Sequence, residues 1–179
     1  MIAIEPSHRF DRMGSSKQDW VVSMELTIKL EPELSVLEYR HILIASGLAS
    51  RRPVDHSDRL AVLLGRADVL VTARAQGQLL GIGRAILWGG RLCYLADLAV
   101  DPDYQRRGIG RRIIESVHAH VSYRLLFLIA VPDAVGYYRH LGLQSLGAFP
   151  RLCWKQHPGW TRIVPERVRR PQYTVGRTL

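Results

Sequence analysis

The fold of this chain depends on one stretch, which reads Leu95-Ala96-Asp97-Leu98-Ala99-Val100-Asp101-Pro102-Asp103-Tyr104-Gln105-Arg106-Arg107-Gly108-Ile109-Gly110-Arg111-Arg112. It begins as an apolar strand, turns at Pro102 and enters a helix near Gly108 or Ile109. Apolar residues then recur every four positions as far as Val121, which is typical of one buried face of a long helix.

The segments before this stretch predict a strand, two helices and a meander. Met24–Leu30 alternates polar and apolar residues with the period of a half-buried strand. Residues 34–48 roughly follow helical spacing, and a second helix over Asp55–Arg66 has Asp55 or Ser57 as its N-cap. Short breaks with glycine separate three β-rich runs, which predict an antiparallel meander: Val69–Ala75, Leu79–Leu87 and Arg91–Val100.

The segments after the long helix predict a strand, a short helix and a last strand. Leu125–Val131 reads as a fully buried strand, and a short helix follows through Ala134, Tyr138 and Leu141. The last β-like stretch covers Leu146–Lys155 and is interrupted by Pro150. The whole order predicts a mixed α/β fold in which helices pack on a central sheet.

Composition indicates one domain with two tails. The chain has 179 residues, 47% of them hydrophobic, which is enough for a single core. We expect a lead-in at 1–22, the folded domain at 23–155 and a basic extension at 156–179. No apolar run is long enough for a membrane span or a secretion signal, which predicts a cytoplasmic protein without membrane contact. Cys93 and Cys153 are expected to be buried, reduced thiols, although a disulfide between them stays open.

Positive charge surrounds the turn before the long helix. The chain carries 25 Lys+Arg against 16 Asp+Glu, a net charge of +9 that favours anionic partners. The N-terminus of a helix attracts anions, and Gly108 and Gly110 allow a phosphate to approach the backbone closely. By themselves, the two glycines fit a tight helix entry equally well. The dinucleotide and P-loop motifs are excluded, because Ile113 stands where the former needs glycine and Arg111 where the latter needs lysine.

Two motifs together resemble the GCN5-related N-acetyltransferases (GNAT). Gln105-Arg106-Arg107-Gly108-Ile109-Gly110 matches the family's (Gln/Arg)-x-x-Gly-x-(Gly/Ala) signature. Some thirty residues later, Tyr137-Tyr138-Arg139-His140-Leu141-Gly142-Leu143 resembles its Phe-Tyr-x-x-x-Gly-Phe element. The resemblance extends over residues 24–155. It implies an α/β (α+β) fold with a mixed, mostly antiparallel central sheet and helices on both faces.

The resemblance implies that acetyl-CoA, as co-substrate, transfers its acetyl group to an amine. The backbone of Leu98, Ala99 and Val100 would pair with the pantetheine arm of coenzyme A. Backbone N–H groups of the signature would hold the pyrophosphate, with Gln105 ordering the turn; the residues concerned are Gln105, Arg106, Arg107, Gly108, Ile109, Gly110 and Arg111. The family often places asparagine where this chain has Val131, so no polar contact to coenzyme A is expected there.

Two residues are predicted to be catalytic. Tyr138 aligns with the family's general acid and would protonate the departing thiolate; the alternative is a packing role, and Tyr137 is its immediate neighbour. Asp97 lies in an apolar strand and would act as the base; the alternative is that Asp97 braces a strand bulge, with a water chain as the base. Tyr94 is a further residue expected to face the acceptor. No metal is expected, because the histidines show no paired ligand spacing.

The acceptor is not evident from the sequence. A small-molecule amine is the first expectation, and a lysine or N-terminal amine of a protein is the alternative. Two other classes stay open: a nucleic-acid- or ribosome-associated binding module that uses the basic extension, and a CoA sensor without catalysis. Nucleic acid is the less favoured partner, because the two motifs have no explanation there. The resemblance also suggests a homodimer.

Overall fold

A computed structural model describes residues 25–121, 125–146 and 149–156. The strands are β1 (Leu26–Leu30), β2 (Val69–Ala75), β3 (Gln78–Trp88), β4 (Leu92–Val100), β5 (Leu125–Ile129), β6 (Gln144–Leu146) and β7 (Phe149–Gln156). The α-helices are α1 (Val36–Ala45), α2 (Ser57–Gly65), α3 (Ile109–His120) and α4 (Val135–His140). Short 3-10 turns lie at Leu48–Arg51, Pro102–Tyr104 and Pro132–Ala134.

The predicted element order is confirmed, with differences at the edges. The meander, the long helix and the short helix lie within a few residues of their expected positions. β5 is shorter than predicted and is not fully buried, because Ile129 is 59% exposed. The last β-like stretch is two strands, β6 and β7. The cap of α2 is also different: it is His56, and its side chain makes no capping bond.

The strands form one sheet in the order β1-β2-β3-β4-β5-β7-β6. Neighbours are antiparallel except β4 and β5, which run parallel and are joined through α3. A parallel pair needs such a crossover, and the helix in it covers one face of the sheet. The expected mixed, mostly antiparallel sheet is therefore confirmed.

Helices cover both faces of the sheet, as predicted. On one face, α3 buries Ile109, Ile113, Ile114 and Val117 against β2, β3 and β4. On the other face, α1 and α2 form a second core with the opposite side chains of β2 and β3. The helix α3 lies very close to β3: a Cβ on Gly81 would be 3.0 Å from Cδ1 of Ile113. This close packing holds the N-terminus of α3 over the end of β4.

An ion-pair cluster ties β1 and α1 to β2. Arg74 on β2 donates from Nε and Nη2 to the carboxylate of Glu31, at 2.9 Å each, and from Nη1 to Glu38 at 2.8 Å. Hydrogen bonds from Arg74 lower the pKa of both glutamates below their usual value of 4.5. A lowered folded-state pKa stabilises the fold above the unfolded pKa, and this stabilisation is lost as the pH falls through the folded pKa.

We therefore expect the Glu31→Gln variant to show a weaker acid dependence than the wild type. The urea midpoint of the wild type should fall more steeply from about pH 6 to about pH 3, because only the wild type loses the charged Glu31–Arg74 pair. The control is Glu33→Gln, which changes an exposed glutamate. Parallel curves for the wild type and Glu31→Gln would contradict the assignment.

Three expectations about the whole chain have different outcomes. None of the described helices has the length and apolarity to cross a membrane. Cys93 and Cys153 are both buried and are not joined in a disulfide. The predicted lead-in and the basic extension after Gln156 lie outside the described residues, so both remain predictions.

Candidate active site

Strands β4 and β5 separate after Tyr94, in the first half of β4. Their pairing covers only Leu92–Tyr94 against Leu125–Phe127, whereas β4 continues to Val100. A bulge at Ala96 accompanies the separation, because Leu95 pairs with Ala85 and Asp97 already pairs with Arg84. Bulges bend a strand and redirect its side chains. The result is an open cleft between the two strands.

The backbone of β4 faces this cleft at every second residue. The N–H of Asp101 donates to the carbonyl of Leu80 at 2.9 Å, and bonded pairs alternate along an antiparallel ladder. Ala99 therefore bonds towards β3, whereas Leu98 and Val100 direct their N–H and C=O groups away from it. The expectation for Ala99 is corrected: its backbone faces β3 and its side chain is buried in the second core.

The turn before α3 has the geometry of an anion site. Gly108 is the N-cap of α3 with φ of 81°, and Arg106 also has a positive φ, of 58°. Among the described residues, no side chain caps the helix, and its first turn contains no acidic residue, so its N–H groups are open to an external acceptor. Gln105 donates from Nε2 to the carbonyl of Val100 at 3.0 Å, which is the ordering contact expected of it.

A pocket of about 540 Å³ lies over this turn. Its lining includes Gln105, Arg106, Gly108, Ile109, Gly110 and Arg111, and we call it the anion pocket. Arg107 differs from the other predicted residues, since its guanidinium lies 5.5 Å from the ring centroid of Tyr104. The predicted binding residues of the turn, Arg107 apart, therefore line one concave, positively charged surface.

The two adjacent tyrosines of α4 face different pockets. Tyr137 lines the anion pocket, where its hydroxyl lies 2.6 Å from the position a Cβ on Gly110 would take. Tyr138 lines a cleft of about 240 Å³ between β4 and β5, together with Leu98 and Val131. Burial raises the pKa of Tyr138, and its neighbour Tyr137 adds to the shift. Tyr138 is therefore a neutral hydroxyl in what we call the β4–β5 cleft.

The structure corrects the role expected of Asp97. The bulge turns Asp97 towards α1, where its side chain is completely buried. It accepts from Tyr39 Oη at 2.6 Å, from Arg52 Nε at 2.6 Å and from Arg84 Nε at 2.5 Å. Both carboxylate oxygens are thus engaged by charged or hydroxyl donors, and an amine cannot reach them. The bracing alternative fits, with side chains as the partners of Asp97.

The pKa shifts in this cluster follow from burial and charge. Burial raises the pKa of Tyr39, and the negative charge of Asp97 adds to the rise. Burial alone would lower the pKa of Arg84, but the charge of Asp97 reverses the effect and the pKa is raised. Arg84 therefore stays positively charged inside the protein. Neither Tyr39 nor Arg84 was predicted from the sequence, although Arg84, as a charged residue within the apolar run of β3, was a usable signal.

A third pocket, of about 630 Å³, lies beside the β4–β5 cleft. We call it the arginine pocket; its charged lining residues are Arg51, Arg52, Asp58, Arg59, Arg66 and Arg84. It shares Tyr94 and Ala96 with the cleft, so the two spaces adjoin. The ring of Tyr94 stacks on that of Phe127 with a centroid distance of 5.2 Å, and its expected contact with the acceptor stays a prediction. In the described ranges, no three His, Cys, Asp or Glu side chains come together as a metal site would require.

The separated parallel strands, the uncapped helix turn and the tyrosine cleft define the class of an acyltransferase with the GNAT fold. Residues 65–144 match the family model described as the acetyltransferase (GNAT) domain. This match confirms the expected resemblance to the GNAT superfamily over these residues.

Solved structures agree with this fold. A GNAT acetyltransferase of Brucella melitensis in complex with acetyl-CoA is 22% identical, with a TM-score of 0.58 over 74% of this chain and 88% of the other. A GNAT protein of Streptococcus pneumoniae is 21% identical, with a TM-score of 0.56 over 80% of this chain and 99% of the other. The PaiA N-acetyltransferase of Thermoplasma acidophilum in complex with coenzyme A is 13% identical, with a TM-score of 0.57 over 73% of this chain and 99% of the other. No curated protein sequence matches significantly.

Proposed function

We propose that this protein is an N-acetyltransferase that moves the acetyl group of acetyl-CoA to an amine. The observation that carries the proposal is the continuity of two sites. The anion pocket, at the uncapped N-terminus of α3, ends at Val100 and Ala134, and Ala134 also lines the β4–β5 cleft. A pyrophosphate and an extended amide arm need such a pair of sites side by side. The complexes of similar structures with acetyl-CoA and coenzyme A support this proposal.

The residues of the turn and of β4 fit the parts of coenzyme A. The N–H groups from Gly108 to Arg111 bind the pyrophosphate, and Arg106 neutralises its charge. The C=O group of Leu98 and one of the two N–H groups of Leu98 and Val100 bond the amides of the pantetheine arm, as an added strand would, which leaves the other N–H group for the reacting carbonyl. Arg52 already bonds the carbonyl of Ala96 at 2.6 Å, which ends the row of exposed carbonyls at that point.

Acyl transfer requires that one proton leaves the amine and that another reaches the departing sulfur. Bound acetyl-CoA supplies a thioester, and the amine nitrogen forms the new N–C bond as the C–S bond breaks. An amine of pKa near ~10 must first lose a proton, and since Asp97 is engaged, water in the cleft accepts it. The N–H of Leu98 or Val100 stabilises the negative charge on the carbonyl oxygen. Tyr138 donates its proton to the departing sulfur.

The test is calorimetric titration of the full chain with acetyl-CoA. We expect saturable binding by the wild type and at least a roughly tenfold weaker affinity of Gly108→Trp, since a side chain at a φ of 81° is strained and projects over the turn. Arg106→Glu, an exposed change that keeps both glycines, should also bind more weakly. Arg91→Glu removes the same charge from an exposed turn and should bind like the wild type.

The outcomes separate the candidate functions. An absence of binding by the wild type at about 1 mM acetyl-CoA would overturn the proposal. Binding without release of free thiol, over a panel of small amines and peptides, would favour the CoA sensor. Thiol release that depends on an amine would establish the transferase and begin to distinguish a small-molecule acceptor from a protein amine.

A further inference from the structure

The arginine pocket has an unbalanced charge. Five arginines line it, and Asp58 is the single carboxylate among its lining residues. At the buried side of the pocket, the carboxylate of Asp97 neutralises one positive charge, and Arg52 and Arg84 share this carboxylate. A concave surface lined mainly by one sign of charge concentrates ligands of the opposite sign. The pocket therefore favours an anionic group.

Helix α2 presents its side of the pocket as a continuous face. Arg59, Val62, Leu63 and Arg66 line the pocket, and their spacing of three and four residues places them on one side of the helix. Arg59 and Arg66 are both exposed, and neither forms an ion pair with a described residue. Placing like charges together around a pocket costs free energy, which a bound anion would offset.

The buried side of the pocket adds a built-in donor. The side chain of Arg84 is 3% exposed, and its Nε and Nη1 donate to Asp97 and to the carbonyl of Leu63. Among the described residues, none accepts a hydrogen bond from its Nη2. A guanidinium held this firmly is pre-organised to bind a carboxylate or a phosphate.

The pocket also has the right position for an acceptor. It adjoins the β4–β5 cleft through Arg51, Arg52, Tyr94 and Ala96, which line both spaces. An amine at Tyr138 would therefore extend its remaining part into the arginine pocket.

We propose that the acceptor is a small amine that carries an anionic group, a carboxylate or a phosphate, which the arginine pocket binds. This inference rests on the proposed acetyl transfer and names the substrate class of the same site. In the reaction the amine nitrogen gains the acetyl group and the anionic group is unchanged.

The test compares acceptors in matched pairs by thiol release from acetyl-CoA. Each α-amino acid is paired with its α-carboxamide, and 2-aminoethyl phosphate with ethanolamine. We expect at least one anionic member to show a kcat/KM at least tenfold above its neutral partner. A preference within the amino-acid pairs identifies a carboxylate, and a preference within the other pair identifies a phosphate.

Variants test the pocket itself. Arg59→Glu and Arg66→Glu each change an exposed side chain and should raise the KM of the anionic acceptor at least tenfold, without changing acetyl-CoA affinity. Arg91→Glu makes the same change of net charge outside the pocket and should leave this KM unchanged. The proposal is overturned if neutral partners react as fast, if the two pocket variants behave like Arg91→Glu, or if acetyl-CoA binds and no anionic amine is acetylated. Failure of acetyl-CoA to bind would instead overturn the proposed function.

Discussion

Replacing Tyr138 with phenylalanine is expected to lower kcat by about 100-fold or more, the usual contribution of a positioned general acid. The change removes one hydroxyl from the β4–β5 cleft and keeps the ring that packs against the core. Affinity for acetyl-CoA should stay within about twofold, because the anion pocket is lined by other residues. The measurements are steady-state thiol release and calorimetric titration of the same preparation.

The pH profile provides a second readout for Tyr138. Burial raises the pKa of this hydroxyl above its usual value of 10.0. It therefore remains a proton donor throughout the neutral and mildly alkaline range, and the defect of Tyr138→Phe should have the same size from about pH 7 to about pH 9. A defect that disappears as the pH rises through this range would show that the hydroxyl loses its proton there, which would contradict the raised pKa.

The Tyr137→Phe variant distinguishes the role of the Tyr137 hydroxyl from that of the Tyr138 hydroxyl. Tyr137 lines the anion pocket, so Tyr137→Phe should mainly alter the affinity for acetyl-CoA. A large fall in kcat for Tyr137→Phe, with an unchanged kcat for Tyr138→Phe, would transfer the role to Tyr137. An unchanged kcat in both variants would remove α4 from the chemistry.

Replacing Asp97 with alanine is expected to reduce the free energy of unfolding by about 3–5 kcal/mol, the usual cost of breaking a buried pair by removing one partner. The loss leaves Arg84, which is 3% exposed, without its counter-charge and leaves Tyr39 without its acceptor. The measurement is urea denaturation followed by circular dichroism. The exposed control Asp103→Ala should change the stability by less than about 0.5 kcal/mol.

Two further variants keep this prediction testable if Asp97→Ala fails to fold. Asp97→Asn retains a hydrogen-bond acceptor without the charge and should be destabilised less. The double variant Arg84→Met, Asp97→Leu replaces both buried charges with apolar groups and should also be more stable than Asp97→Ala. Part of the destabilisation should remain, because Arg52 still loses its ion-pair partner. A loss below about 1 kcal/mol for Asp97→Ala would show that the cluster does not brace the bulge.

The same variants test the rejected catalytic role. If Asp97 positions β4 and takes no proton, Asp97→Asn should retain measurable turnover once it is folded. Its pH profile should keep the shape of the wild-type profile, because no base has been removed. A folded Asp97→Asn without turnover, rescued at high pH, would restore Asp97 as the base.

Local sequence determined most of the architecture. Period-two runs, glycine breaks and a four-residue repeat are properties of short segments, and they located the meander, α3 and the turn at Gly108 correctly. The anion pocket was predictable for the same reason, because a helix N-terminus and its glycines are contiguous in the chain. The two tyrosines of α4 were also predicted, but their separation into different pockets was not.

Tertiary structure alone decided what the charged side chains do. A strict period of two would put Asp97 on the same face as Cys93 and Leu95, but the bulge at Ala96 turns it to the opposite face, against Tyr39. Glu38 on α1 forms an ion pair with Arg74 on β2, 36 residues away, and no local spacing predicts this pair. Ion pairs and pocket walls join residues far apart in the chain, and their partners are set by strand register and bulges rather than by spacing. The sequence therefore specified the sheet, the helix turn and the residues of the anion pocket, and the packing of α1 and α2 on β3 and β4 created the arginine pocket.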